Sequence, residues 1–308
     1  MRRHCGWALA TCVLSFSVLN SGMAAEALRV CLQRHDEPLS WREAGMPRGF
    51  DVALSDAIAH RLGRPLAIQW FLTRDDPDSD PVKEADALLS DGRCELVAGY
   101  ALASGTVGPP AAPTGKLPPF DGASPDDRRR WIKLHPLIST RPYRFDALVV
   151  VLSPAQAGHP VQKLGDLGGL KLGVQTHSLP DLIAMSYAKG ELVDDVVHFP
   201  SEDELLTQLE ANGIDAGFID LHQYDQWRRN HPGTRIALTG YTHSIGLNIG
   251  FVALATNQPL VVQVNRALSE LKQAGTLESL AKANGLTYRA PHAPDVAPDI
   301  SPAALSGD

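Results

Sequence analysis

The residues of this chain whose types and spacing could do chemistry are few, and they sit at the ends of apparent strands and helices. Ser178 stands two residues before Pro180, where a helix begins. A hydroxyl there, with the free N–H groups of the first turn, makes an anion site; the same hydroxyl can serve only as a helix cap. Asp220 stands at the carboxyl end of the apparent buried strand Ile214 to Ile219, where a solvated strand-end acid is the ordinary reading. Other chemistry is thin. The 11 histidines are dispersed, and His35, His135, His177, His222 and His243 show no paired metal spacing. There is no Gly-x-Ser-x-Gly turn and no Gly-rich phosphate loop. Asp220 or Glu95 could act as a general acid or base in a dehydratase-like enzyme, but neither has a convincing partner. No catalytic residue, cofactor or metal is expected.

These residues need elements to hold them, and the chain supplies alternating strands and helices. Leu28 to Leu32 reads as a short buried strand, followed by a polar loop through Pro38. Phe50, Ala53, Leu54, Ala57, Ile58 and Leu62 recur at helical spacing, and Gly63 and Pro65 stop that helix. Strands follow at Leu66 to Phe71 and Glu95 to Gly99, with a weaker helix ending at Leu89 between them. This spacing implies right-handed crossovers and a parallel sheet. The rhythm stops over residues 105–125, whose prolines and glycines cannot continue a helix or a central strand. Disorder is the reading such composition favours. The charge run Asp126 to Arg130 reads as a solvated face.

The pattern resumes with the β-branched strand Asp146 to Leu152 and a second run of alternating strands and helices from Lys163 to Asp220. In that run Ser201-Glu202-Asp203-Glu204 forms a capping box and Asn212-Gly213 ends the helix. Asn265 to Leu271 and Leu277 to Ala283 read as terminal helices, and residues 289–308 as a flexible tail. Two α/β halves facing each other make a cleft that can close on a small molecule.

Length and charge agree. A chain of 308 residues suggests two domains, and 44% hydrophobic residues supply a core. The net charge of −7 without a basic block sets nucleic acid aside. Arg2, Arg3 and His4, the apolar run Trp7 to Leu19 and Gly22-Met23-Ala24-Ala25 follow the order of a secretory signal peptide over residues 1–25. Cleavage near Ala25 leaves two cysteines, Cys31 and Cys94, which in an exported protein are a disulfide candidate. A four-residue stagger between parallel neighbours would exceed disulfide reach; two buried free thiols are the alternative.

Five segments in order carry a resemblance. Val30-Cys31-Leu32-Gln33 through Gly49-Phe50-Asp51-Val52, Pro142-Tyr143 with Leu148-Val149-Val150, Gly165 to Gln175, Asn212 to Ala216, and Val264 to Leu268 with Gly275-Thr276 resemble the family 3, polar amino-acid-binding type II periplasmic solute-binding proteins. Arg29-Val30-Cys31 and Gly92-Arg93-Cys94 are most similar to a subgroup associated with quinoprotein alcohol dehydrogenases.

The resemblance implies a two-lobed α/β fold: two parallel or mixed sheets flanked by helices, with a hinge cleft between. Lobe 1 would take residues 26–149 and 253–288, and lobe 2 residues 150–252. It implies a periplasmic binding protein, monomeric, serving an ABC permease in the inner membrane or a periplasmic quinoprotein dehydrogenase. It places the ligand ammonium on Asp220 and the ligand carboxylate on Ser178. The family's hydroxyl-rich carboxylate clamp falls on Gly99 to Ser104, with Arg130 as the nearest match for its arginine and Lys133 as a rival. Tyr100, Leu102, Trp70 and Phe71 would make a more apolar wall. The ligand-binding candidates are thus Asp220, Ser178, His177, Tyr100, Arg130 and Asp36. Without a nearby bidentate guanidinium, ordinary polar amino acids should bind poorly.

Overall fold

A computed structural model describes residues 25–73, 80–298 and 300–307; apart from Ala25, the expected leader lies outside the described residues. The first half opens with β1 (Leu28–Gln33), α1 (Phe50–Arg61), β2 (Leu66–Phe71), α2 (Pro81–Ser90) and β3 (Leu96–Ala101). Helix α1 forms because Phe50, Leu54 and Ile58 fall on one face and are wholly buried. Gly49 starts it at φ 117°, where a Cβ would lie 2.1 Å from Leu39 O. Asp80 caps α2, accepting from the Val82 and Lys83 amides.

The chain then runs through β4 (Arg144–Leu152), β5 (Leu172–Gln175), α3 (Leu179–Ser186), β6 (Val196–Phe199), α4 (Glu202–Glu210), β7 (Ala216–Asp220) and α5 (Leu221–Asn230). The 18-residue strand β8 (Ala237–Leu254) leads to α6 (Gln258–Gln273) and α7 (Thr276–Ala283). The expected two sheets are joined. One nine-stranded sheet has the order β6-β5-β7-β4-β8-β3-β1-β2, with Leu137–Ser139 also on β8. β1 pairs parallel with β2 and β3, and β5 parallel with β6 and β7. The antiparallel strands β4 and β8 pass between the two groups.

Core packing marks where the halves meet. Phe145, Ala147 and Val149 pack with Leu205 and Phe199 of the second half. Ile249, Phe251 and Ala253 pack with β1, α1 and the terminal helices. The crossing therefore lies a few residues earlier than the expected boundaries after 149 and 252. Helices α6 and α7 return to the first half, where Val264, Leu268 and Leu277 pack against Leu28, Val30 and Leu54.

Two segments differ from expectation. Residues 105–125 are packed: Thr114–Lys116 pairs with Trp131–Lys133, and Leu117 and Phe120 join Ile132, Leu134 and Leu88 in a core. Their glycines and prolines suit turns that let apolar residues dip into that core. The segment after Tyr288, expected to be a flexible tail, has fixed partners. Ala297 pairs with the loop after β3, and Leu305 is buried in the second half.

Cys31 and Cys94 form a disulfide with Cα atoms 5.6 Å apart. Cys31 faces Val97 in the parallel ladder, so an extended chain would have put Cys94 out of reach. Cys94 instead precedes β3, just after the turn in which Gly92 takes φ 71°.

Candidate functional site

The sheet order gathers charge where β4, β7 and the start of α5 meet. Asp220 ends β7 opposite Leu148. Two residues outward on β4, Asp146 lies beside His222 of α5, whose Nδ1 is 3.0 Å from Asp146 Oδ2. Arg144 alternates with Asp146 on one face of β4 and puts a guanidinium nitrogen 3.1 Å from Asp146 Oδ2. Arg144 is only 4% exposed. Glu202, the first residue of α4, is buried beside Asp220. From the first half, Asp36 of the short strand His35–Asp36 feels the field of His222, Arg144 and Asp146. Asp51, on the first turn of α1, does the same for Arg144 and Tyr143.

The site thus sets five carboxyls against two cations, and proton affinities follow. Burial alone would lift Asp146, but His222 and Arg144 outweigh it and hold its carboxyl well below the usual range. Burial works against charge on His222, yet Asp146, with smaller help from Asp220 and Asp36, raises it to about 10. The other acids are starved of cations. Burial raises Asp220 to about 6, with Asp146 adding to the effect. Burial, with Asp220 alongside, pushes Glu202 to about 8. Burial lifts Asp51 to about 6 and Asp36 above its ordinary value. Arg144 Nε and Asp51 Oδ1 are buried without a hydrogen-bond partner among the described residues. The cavity lined by Arg144, Asp146, His222 and Thr287 is only about 10 Å³, so little space is left between these side chains and the segment after α7.

Asp146, Asp220 and His222 bring one donor atom each within 4.8 Å of one another, a grouping that sequence spacing did not reveal. A metal ion there would have to displace the proton on His222 and sit beside Arg144. The arrangement suits an ion-paired cluster better than a metal centre.

Of the residues expected from the sequence, Asp220 and Asp36 reach this cluster and the others do not. Ser178 caps α3: its Oγ accepts from Asp181 N at 3.2 Å and donates to Gln175 O at 2.7 Å. Asp181 takes the next amide, His177 N, at 2.8 Å. The Ser178 hydroxyl is therefore engaged as a helix cap. His177 itself is exposed, with φ 62°. Tyr100 packs with Leu102, Leu117 and Phe120 and donates to Thr106 O, forming no cleft wall; Trp70 and Phe71 are also core. Arg130 pairs on the surface with Asp91 at 2.8 Å and Asp127 at 3.4 Å, because the insertion carries it away from the cleft. Glu95 ties Arg29 N to Arg64 and has no partner for acid–base work there.

Arg144, Asp146, His222, Glu202 and Asp51 were missed. Arg144 and Asp146 carried a signal, since charges two apart at the head of a buried strand must be paired. Glu202 was absorbed by the capping box, whose Ser201 Oγ does accept from Glu204 N at 3.3 Å.

No family model matches the chain, and no curated protein does. Solved structures do. The L-cystine solute receptor of Neisseria gonorrhoeae in its unliganded open conformation matches over 87% of this chain and 96% of that one, with a TM-score of 0.60 at 18% identity. The second substrate binding domain of a putative amino acid ABC transporter from Streptococcus pneumoniae matches over 84% and 100%, with a TM-score of 0.59 at 14% identity. A histidine kinase sensor domain with similarity to periplasmic binding proteins matches over 87% and 99%, with a TM-score of 0.55 at 17% identity. At these identities the likeness is one of fold: the two-lobed α/β fold of periplasmic binding proteins. No helix among the described residues is long and apolar enough to cross a membrane.

Proposed function

We propose that the chain is a periplasmic solute-binding receptor that captures a small polar or amphipathic molecule between its halves for an ABC permease in the inner membrane. One observation carries this reading. Five carboxyls contributed by both halves face two cations where the start of β4, the end of β7 and the start of α5 meet. A ligand ammonium or guanidinium would supply the missing positive charge and let Asp220 and Asp36 ionise. Arg144 Nε is the donor left for the ligand's other end. The Cys31–Cys94 bridge suits an oxidising compartment. In this reading the chain acts as a monomer, without catalysis or a cofactor.

Thermal shift on a panel of small molecules tests it. A ligand at about 100 times its Kd stabilises by roughly 2.7 kcal/mol. Small organic cations should give that shift, and polar amino acids with an uncharged side chain little. Asp220→Ala should remove it, and binding should weaken below about pH 6 as Asp220 takes up its proton. A large shift with arginine or glutamate, undiminished in Asp220→Ala, would overturn the assignment.

A second reading, an accessory role beside a periplasmic quinoprotein alcohol dehydrogenase, is supported by the same bridge, because that resemblance rests on the two cysteines. Co-sedimentation of the chain with such a dehydrogenase, without any ligand-induced shift, would favour it.

A further inference from the structure

The segment after α7 touches both halves and the hinge in turn. Thr287 donates through Oγ1 to the Asp225 carboxylate of α5 at 2.8 Å. Tyr288 Oη donates to Tyr143 O at 3.1 Å, and Phe145 N donates to Arg289 O at 2.9 Å, so these bonds bracket Arg144. His292 stacks on Phe145 with ring centroids 4.0 Å apart. Asn248 Nδ2 donates to His292 O at 2.6 Å and Pro294 O at 3.0 Å, and its Oδ1 accepts from His292 N at 3.0 Å.

From the hinge the chain moves to the first half. Ala297 N donates to Leu102 O at 2.8 Å, and Ala297 O accepts from Ser104 N at 2.9 Å. It ends on the second half. Leu305 is buried with Ile183, Ala184 and Tyr187, Ala188 N donates to Ser306 O at 3.2 Å, and His243 Nε2 lies 3.3 Å from Gly307 O.

We propose that this segment is an intramolecular strap that holds the halves closed over the charge cluster when no ligand is bound. Ala297 is fixed to the first half and Leu305 to the second, only eight residues apart. Eight residues reach at most about 26–29 Å, so a rotation that carries the anchors farther apart than that must lift one of them. The anchor on the second half rests on one leucine at the rim of a core and two contacts to backbone carbonyls. Its release is the step that frees the cleft. The strap does not depend on the identity of any ligand.

Small-angle scattering of the ligand-free protein tests it. The wild type should show a radius of gyration close to the roughly 19 Å of a compact chain of this length. Deleting residues 297–308, or substituting Leu305→Asp, should raise the radius while the protein still melts cooperatively, and Leu305→Met should restore the compact value. A folded Leu305→Asp protein with the wild-type radius would show that the segment merely caps the fold and would overturn the proposal. If the shortened chain fails to fold, Leu305→Asp against Leu305→Met decides alone.

Discussion

His222 keeps its proton up to about pH 10 because the Asp146 carboxylate lies 3.0 Å away, and Glu202 keeps its own up to about pH 8 because it is buried beside Asp220. Both values lie above the ordinary 6.5 and 4.5. Each group therefore binds its proton more tightly folded than unfolded, and stability falls as pH rises between the two values. Asp146 works in the opposite sense, losing its contribution only when pH falls below the usual carboxylate range. The melting temperature should be higher at pH 5 than at pH 9. Glu202→Gln should flatten the part of the decline below about pH 8, and His222→Gln the part between about 6.5 and 10. Scanning fluorimetry across that range checks it, and a flat wild-type profile would refute the cluster's charge states. The sequence exposed only part of this cluster. Asp220 was readable because it ends a buried strand. His222 was not, because what makes it special is Asp146, 76 positions earlier and brought near by antiparallel pairing. Arg130 was misplaced because linear distance from β3 says nothing about which way an insertion folds.

Strands and helices were legible wherever a period was clear, as in α1, β4 and the capped α4. The insertion at residues 105–125 was not, because its few apolar residues, Leu117 and Phe120 among them, follow no period and declare their role only by landing on α2. The cysteines teach the same lesson. A stagger computed for two straight strands failed because Cys94 lies before its strand. Their bridge closes a loop across 63 positions, tying β1 to the approach of β3 in the half that carries Asp36 and Asp51. The chain-entropy relation assigns such a loop about 4 kcal/mol. Replacing both cysteines by alanine should lower stability by about that amount or somewhat less, read from the midpoint of urea unfolding. An unchanged midpoint would mean that the unfolded chain is already compact between those positions.

Taken whole, the two halves share one sheet, so they should not melt separately. The pairing of β4 with β8 links the core around Leu54 to the core around Leu205. Calorimetry should give one transition whose calorimetric and van't Hoff enthalpies agree; two resolved peaks would contradict the continuity. The same strands decide how the molecule can move. β4 and β8 shift register between Ala147 and Val149 and again between Val149 and Val151, and β8 slips once more against β3. Bulges of this kind increase local twist. A cleft joined by a loose linker would swing like a door on a pin, with no preferred angle. One joined by twisted, bulged ribbon resists that swing: opening must turn two paired strands together, so the halves move along one path rather than to any angle.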